Sequence, residues 1–241
     1  MPTKSLLINS KDRQSGSSSN FYYKLDGFLH NVDSVSVEDI QLYNTQYTIN
    51  SNNNKFYWTD NTSATKTSTI PSQSYNLNEL CIQISNNLNT DATSGSYLCS
   101  YNTSTLKVSV SSTTGNIGLT FGTNTTNSVA YTIGYEDVNG AAAAALTAPN
   151  MPNLNTKFYE IQCDLINDTT NNHLGNRNTL AILKNNKNFG ELLNYDFINT
   201  RNMKSYKKSV DRIKFVVYDD QNNEVELNNA DWSIQINLNL K

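Results

Sequence analysis

Residues 232–240 read Trp-Ser-Ile-Gln-Ile-Asn-Leu-Asn-Leu, with an apolar side chain at every second position. Trp232, Ile234, Ile236, Leu238 and Leu240 share one parity, and Ser233, Gln235, Asn237 and Asn239 share the other. Successive side chains of a strand point to opposite faces, so this run predicts a strand with one face in a core and one toward water. A helix would scatter the same residues around its circumference. Upstream, residues 212–218 alternate too, with Ile213, Phe215 and Val217 on one face. Asp219, Asp220, Gln221, Asn222 and Asn223 then supply turn chemistry, followed by a short strand at 225–227 and a second turn at Asn228 and Asn229. The C-terminal segment is therefore expected as an antiparallel meander.

A chain of 241 residues is long enough for one large all-β domain, and its 14 Tyr belong to the aromatic and β-branched set that suits a pleated, half-buried surface. Charged residues make up only 16% and the net charge is −3, so polarity is carried by Asn, Ser and Thr. An electrostatic footprint for nucleic acid needs clustered Lys and Arg. The densest basic stretch, Lys204, Lys207 and Lys208 around Tyr206, reads as a solvated loop before a strand, and no specific nucleic-acid partner is expected. Cys81, Cys99 and Cys163 form an odd count with no close pair, which predicts reduced thiols over a disulfide framework or a zinc site. Asn61, Asn102, Asn124 and Asn167 match the glycosylation acceptor pattern, as chance allows in so Asn- and Thr-rich a chain. With no signal peptide, lipidation motif or membrane-spanning segment in the sequence, the expectation is a soluble protein that is not conventionally secreted.

Taken in order, residues 1–4 read as a polar arm, 5–9 as a short strand, 11–20 as a loop, and 21–25 and 32–42 as strands. Within 32–42, Val35 and Val37 share one parity while Ile40 and Leu42 share the other, which predicts a β-bulge near Glu38 and Asp39. Residues 47–49 and 56–58 flank the turn at 50–54 and are expected as a hairpin, with a further strand at 67–70. The helix is expected at 77–89: Leu77, Leu80, Cys81, Ile84 and Leu88 recur at helical spacing, and Asn76 with Glu79 makes a capping box. A hairpin at 97–101 and 106–110 follows, then strands at 117–121 and 130–133. The pattern of 140–148 fits a buried linker or a short helix. Strands are expected at 158–165 and 179–183, a loop containing His173 at 167–178, and either strand or helix at 190–195. The fold class is all-β: a single antiparallel jelly-roll β-sandwich with one short helix and long loops, spanning 1–241 as one domain with 137–208 as an insertion or long-loop region.

Chemistry is sparse. His30 and His173 are the two histidines, and no zinc-ligand, nucleophile-elbow, phosphate-loop or dinucleotide spacing occurs. Asp219 and Asp220 with Glu224 and Glu226 lack the Gly of an EF-hand loop and fit a hairpin turn better. His30 reads as a loop residue. No cofactor, no metal and no enzymatic activity are expected.

The order of several short stretches does resemble a known family. Leu7, Ile8, Asn9, Ser10, Lys11, Asp12 and Arg13, then Phe21 to Leu25, then 32–42 running into Tyr43, Asn44, Thr45, Gln46, Tyr47, Thr48 and Ile49, look like the opening of penton proteins. These are the vertex capsid proteins of virophages, polinton-like viruses and related large DNA viruses. The similarity continues through Thr69 to Tyr75, returns at Ile133, Gly134 and Tyr135, and again at 215–232. The resemblance implies a jelly-roll subunit forming a homopentamer at the fivefold vertices of an icosahedral capsid, surrounded by trimers of a double-jelly-roll major capsid protein. It would be assembled inside the infected host cell. For 1–13 two readings stand, an arm reaching a neighbouring subunit or the capsid interior and a first strand after a frayed terminus, with Lys4, Lys11, Asp12 and Arg13 expected at the subunit interface and Asp12 and Arg13 pairing either locally or across it. The alternative is a β-sandwich carbohydrate-binding or fibre-like attachment protein using Tyr57, Trp58 or Tyr206 as sugar platforms, although Trp58 alternates with Phe56 and fits a core.

Overall fold

The structure, a computed structural model, describes residues 2–166, 178–197 and 201–241. It opens with β1 (Thr3–Asn9), the short β2 (Ser15–Gly16), β3 (Asn20–His30) and β4 (Val32–Tyr43). Next come β5 (Lys55–Thr59), β6 (Thr65–Thr69), helix α1 (Leu77–Asp91), β7 (Tyr97–Asn102), β8 (Lys107–Ser112), β9 (Ile117–Thr120), β10 (Asn139–Ala143) and β11 (Ala145–Thr147). The chain ends with β12 (Phe158–Cys163), β13 (Thr179–Lys184), β14 (Leu192–Asp196), the short β15 (Met203–Lys204), β16 (Ser209–Tyr218) and β17 (Ser233–Leu240). The chain divides into two compact units, Met1–Gln46 with Thr156–Lys241, and Tyr47–Asn155. The sequence displayed no such boundary. Residues 137–208, read there as an insertion or long loop, contribute to both units.

The discontinuous unit holds two sheets, one ordered β1-β17-β4-β14 with β15 also on β4, the other β13-β12-β16-β3-β2. Without the two-residue β2 and β15, eight strands remain. The first pairs with the last, the second with the seventh, the third with the sixth and the fourth with the fifth, all antiparallel. That is one long ribbon rolled into two layers, the jelly roll. Ile8, Val35, Ile40, Ile234 and Ile236 from one sheet and Phe21, Ile161, Ile213 and Phe215 from the other fill a single core. Trp232 lies 5.8 Å from Phe21 and 6.2 Å from Phe215, centroid to centroid and edge-on. Such pairs contribute about 0.5–1.5 kcal/mol beyond the area they bury.

The alternation at the C-terminus survives intact in β17, where Ile234, Ile236 and Leu238 are buried and the polar residues between them half-buried. The bulge is where parity put it. Gln235 opposes Asp39 and Ile236 opposes Val37, leaving Glu38 as the extra residue of β4. The meander is corrected, because β16 pairs with β3 and β12 while β17 pairs with β1 and β4, so the two strands lie in opposite sheets. Val225 and Leu227 are buried in the connection but form no strand. The expected arm is corrected in part: β1 begins at Thr3 and pairs with β17 along its whole length, Thr3 opposite Asn239.

The unit Tyr47–Asn155 has its own core, with Phe56, Trp58, Leu80, Ile84, Leu88, Tyr97 and Phe121 fully or almost fully buried. One sheet runs β10-β9-β5-β6 and another β11-β8-β7. The capping box of α1 is complete: Asn76 Oδ1 accepts from Glu79 N–H and a Glu79 carboxylate oxygen accepts from Asn76 N–H, each at 3.0 Å. Three expectations change here. The hairpin partner of β5 is β6, not 47–49, which makes only the bridge of Ile49 with Gln73. Residues Tyr131–Ile133 form a 3-10 turn, not a strand. The Ala-rich 140–148 segment is neither linker nor helix but supplies β10 and β11 at sheet edges, pairing overriding the helix preference of Ala.

Candidate assembly surface

The four residues singled out at the N-terminus lie along β1 and the turn after it. Lys4 is exposed in β1 opposite Leu238. Lys11 and Asp12 are exposed in the 3-10 turn Ser10–Asp12, whose entry is capped by the Asn9 side chain accepting from Lys11 N–H at 3.0 Å. Arg13 turns inward along the chain. Its Nη1 donates to Ser10 O at 2.8 Å and forms a salt bridge with Asp231 at 3.3 Å, and its Nε donates to Gly16 O at 3.2 Å. The side chain therefore braces the two chain ends of the jelly roll. Sequence reading could not supply that partner, because Asp231 adjoins Arg13 only once β1 and β17 pair.

The outer face of the sheet carrying β1 is a polar lattice. Gln235 and Asn237 of β17 both donate to the Glu38 carboxylate, whose outward position follows from the bulge. Gln235 also donates to Ser5 Oγ at 3.3 Å, and Asn239 donates to Ser34 Oγ at 3.0 Å while accepting from Thr3 Oγ1 at 2.9 Å. Beside Glu38, Asp39 of β4 stands directly opposite Asp196 of β14. Burial, and then the hydrogen-bonded Asp196 carboxyl next to it, push the Asp39 carboxyl above its ordinary range. Lys204, in register with Ser34 farther along β4, is the cation that the paired strands bring to this face among the described residues.

The outer face of the other sheet carries a basic block. Lys24 of β3 stands opposite Arg212 of β16, and Tyr22 opposite Lys214. The Arg212 guanidinium lies 5.3 Å and the Lys214 ammonium 5.6 Å from the centre of the Tyr22 ring. Next to this block the pairing slips between Val210 and Arg212, and β3 swells into a bulge. Lys24, Leu25, Asp26, Gly27, Phe28 and Asp211 line the open hollow of about 610 Å³ that results. Gly27 sits at φ +144 with open space where a Cβ would stand, and Phe28, 66% exposed, stacks on His30 at 6.1 Å.

Other features marked in the sequence resolve into structure. Asp219 Oδ1 accepts from Gln221 N–H at 3.0 Å and Asn223 N–H at 2.8 Å, so the acidic stretch is a side-chain-capped turn. His30 ends β3 and its Nδ1 lies 3.0 Å from Ser209 Oγ. His173 lies outside the described residues. Trp58 is fully buried against Tyr97 with its Nε1 donating to Ser68 Oγ at 3.1 Å, and Tyr57 is half-buried, its hydroxyl donating to Thr126 O at 2.7 Å. Tyr206 is exposed, with Lys207 over its ring. Among the described residues, no group of three or more His, Cys, Asp or Glu is placed to hold a metal ion, and no helix is long and apolar enough to cross a membrane.

An eight-stranded jelly roll is thus the fold class that the strand pairings define for the discontinuous unit. No protein-family model and no curated protein sequence matches the chain. Among solved structures it is similar to the mavirus penton protein, with 9% identity and a TM-score of 0.49 over 100% of both chains. It is also similar to a chain of the Sputnik virophage, with 14% identity and a TM-score of 0.42 over 98% of this chain and 96% of that one. No residue role is carried across at such values.

Proposed function

We propose that the chain is a structural virion protein, the penton that forms homopentamers and closes the fivefold vertices of an icosahedral capsid. In this reading it contacts surrounding trimers of a double-jelly-roll major capsid protein, works without cofactor or reaction centre, and is assembled inside the infected cell. The observation that carries the reading is the rolled ribbon of β1·β17, β3·β16, β4·β14 and β12·β13. It makes a two-layered plate, one broad face of which is a hydrogen-bonded lattice of Asn, Gln, Ser and Glu side chains suited to wet contacts between subunits. The ordered N- and C-terminal stretches that resemble pentons support it, as does the placement of Lys4, Lys11, Asp12 and Arg13 on the paired chain ends. The sugar-platform alternative draws little from Trp58, which is sealed in a core.

Native mass measurement of the purified full chain tests the reading, with five times 27.0 kDa expected. Purified capsid trimers should retain that species, and labelled chain should localise to vertices in imaged particles. A persistent monomer that ignores capsid trimers and instead scores on a glycan array would overturn it.

A further inference from the structure

Each sheet of the jelly roll breaks the same rule on its outer face. Directly opposed residues of neighbouring antiparallel strands approach to about 4.5–5.5 Å between Cβ atoms, and like charges there destabilise the pair. Asp39 and Asp196 occupy such a position on one sheet. Lys24 and Arg212 occupy one on the other, and Lys214 adds a third cation across Tyr22. Asp26 and Asp211 stand at the adjoining bulge, yet among the described residues neither forms a salt bridge with Lys24, Arg212 or Lys214. Lys204, likewise, makes no described salt bridge to Asp39 or Asp196. Local rules of this kind are broken where function compensates. The two violations are opposite in sign, and they lie on opposite layers of one sandwich, where they cannot neutralise each other.

We infer that these two faces are the halves of one repeated contact between copies of this chain, the Lys24 and Arg212 pair of one copy meeting the Asp39 and Asp196 pair of the next. The inference rests on the ring-forming reading above and adds which surfaces meet. A twofold dimer would press acid on acid or base on base, whereas a head-to-tail contact joins unlike faces and closes as a ring when the rotation from copy to copy fits. Exposed apolar side chains share these outer faces, Leu7, Tyr43 and Leu192 on the sheet with the acidic pair and Phe28 beside Lys24 on the other. Charged groups on both sides steer the encounter and set its register, and salt weakens them.

The test is a charge swap on the full chain, read as mass by sedimentation or light scattering at low and high salt. Lys24→Glu with Arg212→Glu leaves both faces acidic, and Asp39→Lys with Asp196→Lys leaves both basic. Each double variant should fall to the 27.0 kDa single chain under conditions where the natural chain is oligomeric. The fourfold variant, which carries the contact with its signs exchanged, should regain the natural mass, and an equimolar mixture of the two double variants should associate into even-numbered or open assemblies heavier than 27.0 kDa, because alternating copies cannot close a ring of five. That recovery also shows that the variants fold. If either double variant keeps the natural oligomer mass, or if neither mixture nor fourfold variant assembles, the pairing of these faces is overturned while a ring built on other surfaces still stands. A natural chain that stays monomeric throughout overturns both.

Discussion

Ser10 and Trp232 hold each other at the end of the β1·β17 ladder by two hydrogen bonds, Trp232 N–H donating to Ser10 Oγ at 3.0 Å and Ser10 N–H donating to Trp232 O at 2.8 Å. Ser10 Oγ in turn donates to Asp231 Oδ1 at 2.9 Å, and Trp232 Nε1 donates to Ser18 O at 2.7 Å. The end of the first strand is thereby tied to the start of the last. Ser10 is fully buried.

Replacing Ser10 by Ala leaves the Trp232 amide without its acceptor in a buried site. An unsatisfied group of this kind costs about 1–3 kcal/mol. Urea unfolding followed by Trp232 fluorescence, in a Trp58→Phe background, should show a lower midpoint at unchanged slope. An unchanged midpoint would mean the two chain ends are held by packing alone.

The capping box of α1 predicts a smaller, separable effect in the unit Tyr47–Asn155. Asn76→Ala removes the acceptor for Glu79 N–H and should cost about 0.5–2 kcal/mol. Asn76→Asp should retain most of that. The measurement is the thermal midpoint of the helical signal in each variant.

Asp60 should make the same unit acid-sensitive. Burial by itself would raise its carboxyl, but hydrogen bonds from Thr62 and Thr93 outweigh burial and hold it far below the ordinary range. The partners are Thr62 Oγ1 at 2.5 Å, Thr62 N–H at 2.9 Å, Ala64 N–H at 3.1 Å and Thr93 N–H at 3.1 Å. A depressed folded-state value contributes stability that is present above the unfolded value of about 3.9 and is lost as pH falls toward the folded one. Stability should therefore decline below about pH 4, and Asp60→Asn should be weaker at neutral pH with a flatter acid limb.

The opposed carboxyls of Asp39 and Asp196 predict the reverse sign. The folded-state value of Asp39 is raised, so its contribution is present at low pH and is lost as pH rises through that value. In the dissociated subunit, Asp196→Asn should relieve the repulsion and stabilise by about 0.2–1 kcal/mol at neutral pH. The gain should vanish as the pH is lowered through the carboxylate range, which denaturation at two pH values will show.

Cys81, Cys99 and Cys163 are all buried and free. Burial pushes the Cys163 thiol well above its ordinary value. Thiol reagents act on the thiolate, so labelling of Cys163 should be negligible in the native chain and complete in denaturant. Rapid native labelling would show that its surroundings open.

Local pattern alone determined a good deal of this protein. Alternation marked the inward face of β17, a parity change located the extra residue at Glu38, and Asn76 with Glu79 announced the start of α1, because each is written within a few adjacent residues. Alternation says which side of a strand is buried and nothing about which strand lies beside it, since backbone hydrogen bonds are the same for every partner. Only tertiary structure could send β16 and β17 into opposite sheets, turn the Ala-rich stretch into edge strands and cut the chain into two units at Gln46 and Thr156. The charge pairs were illegible for the same reason. Asp39 meets Asp196, and Lys24 meets Arg212, through the register of strands far apart in the chain, and register exists only once the ribbon is rolled.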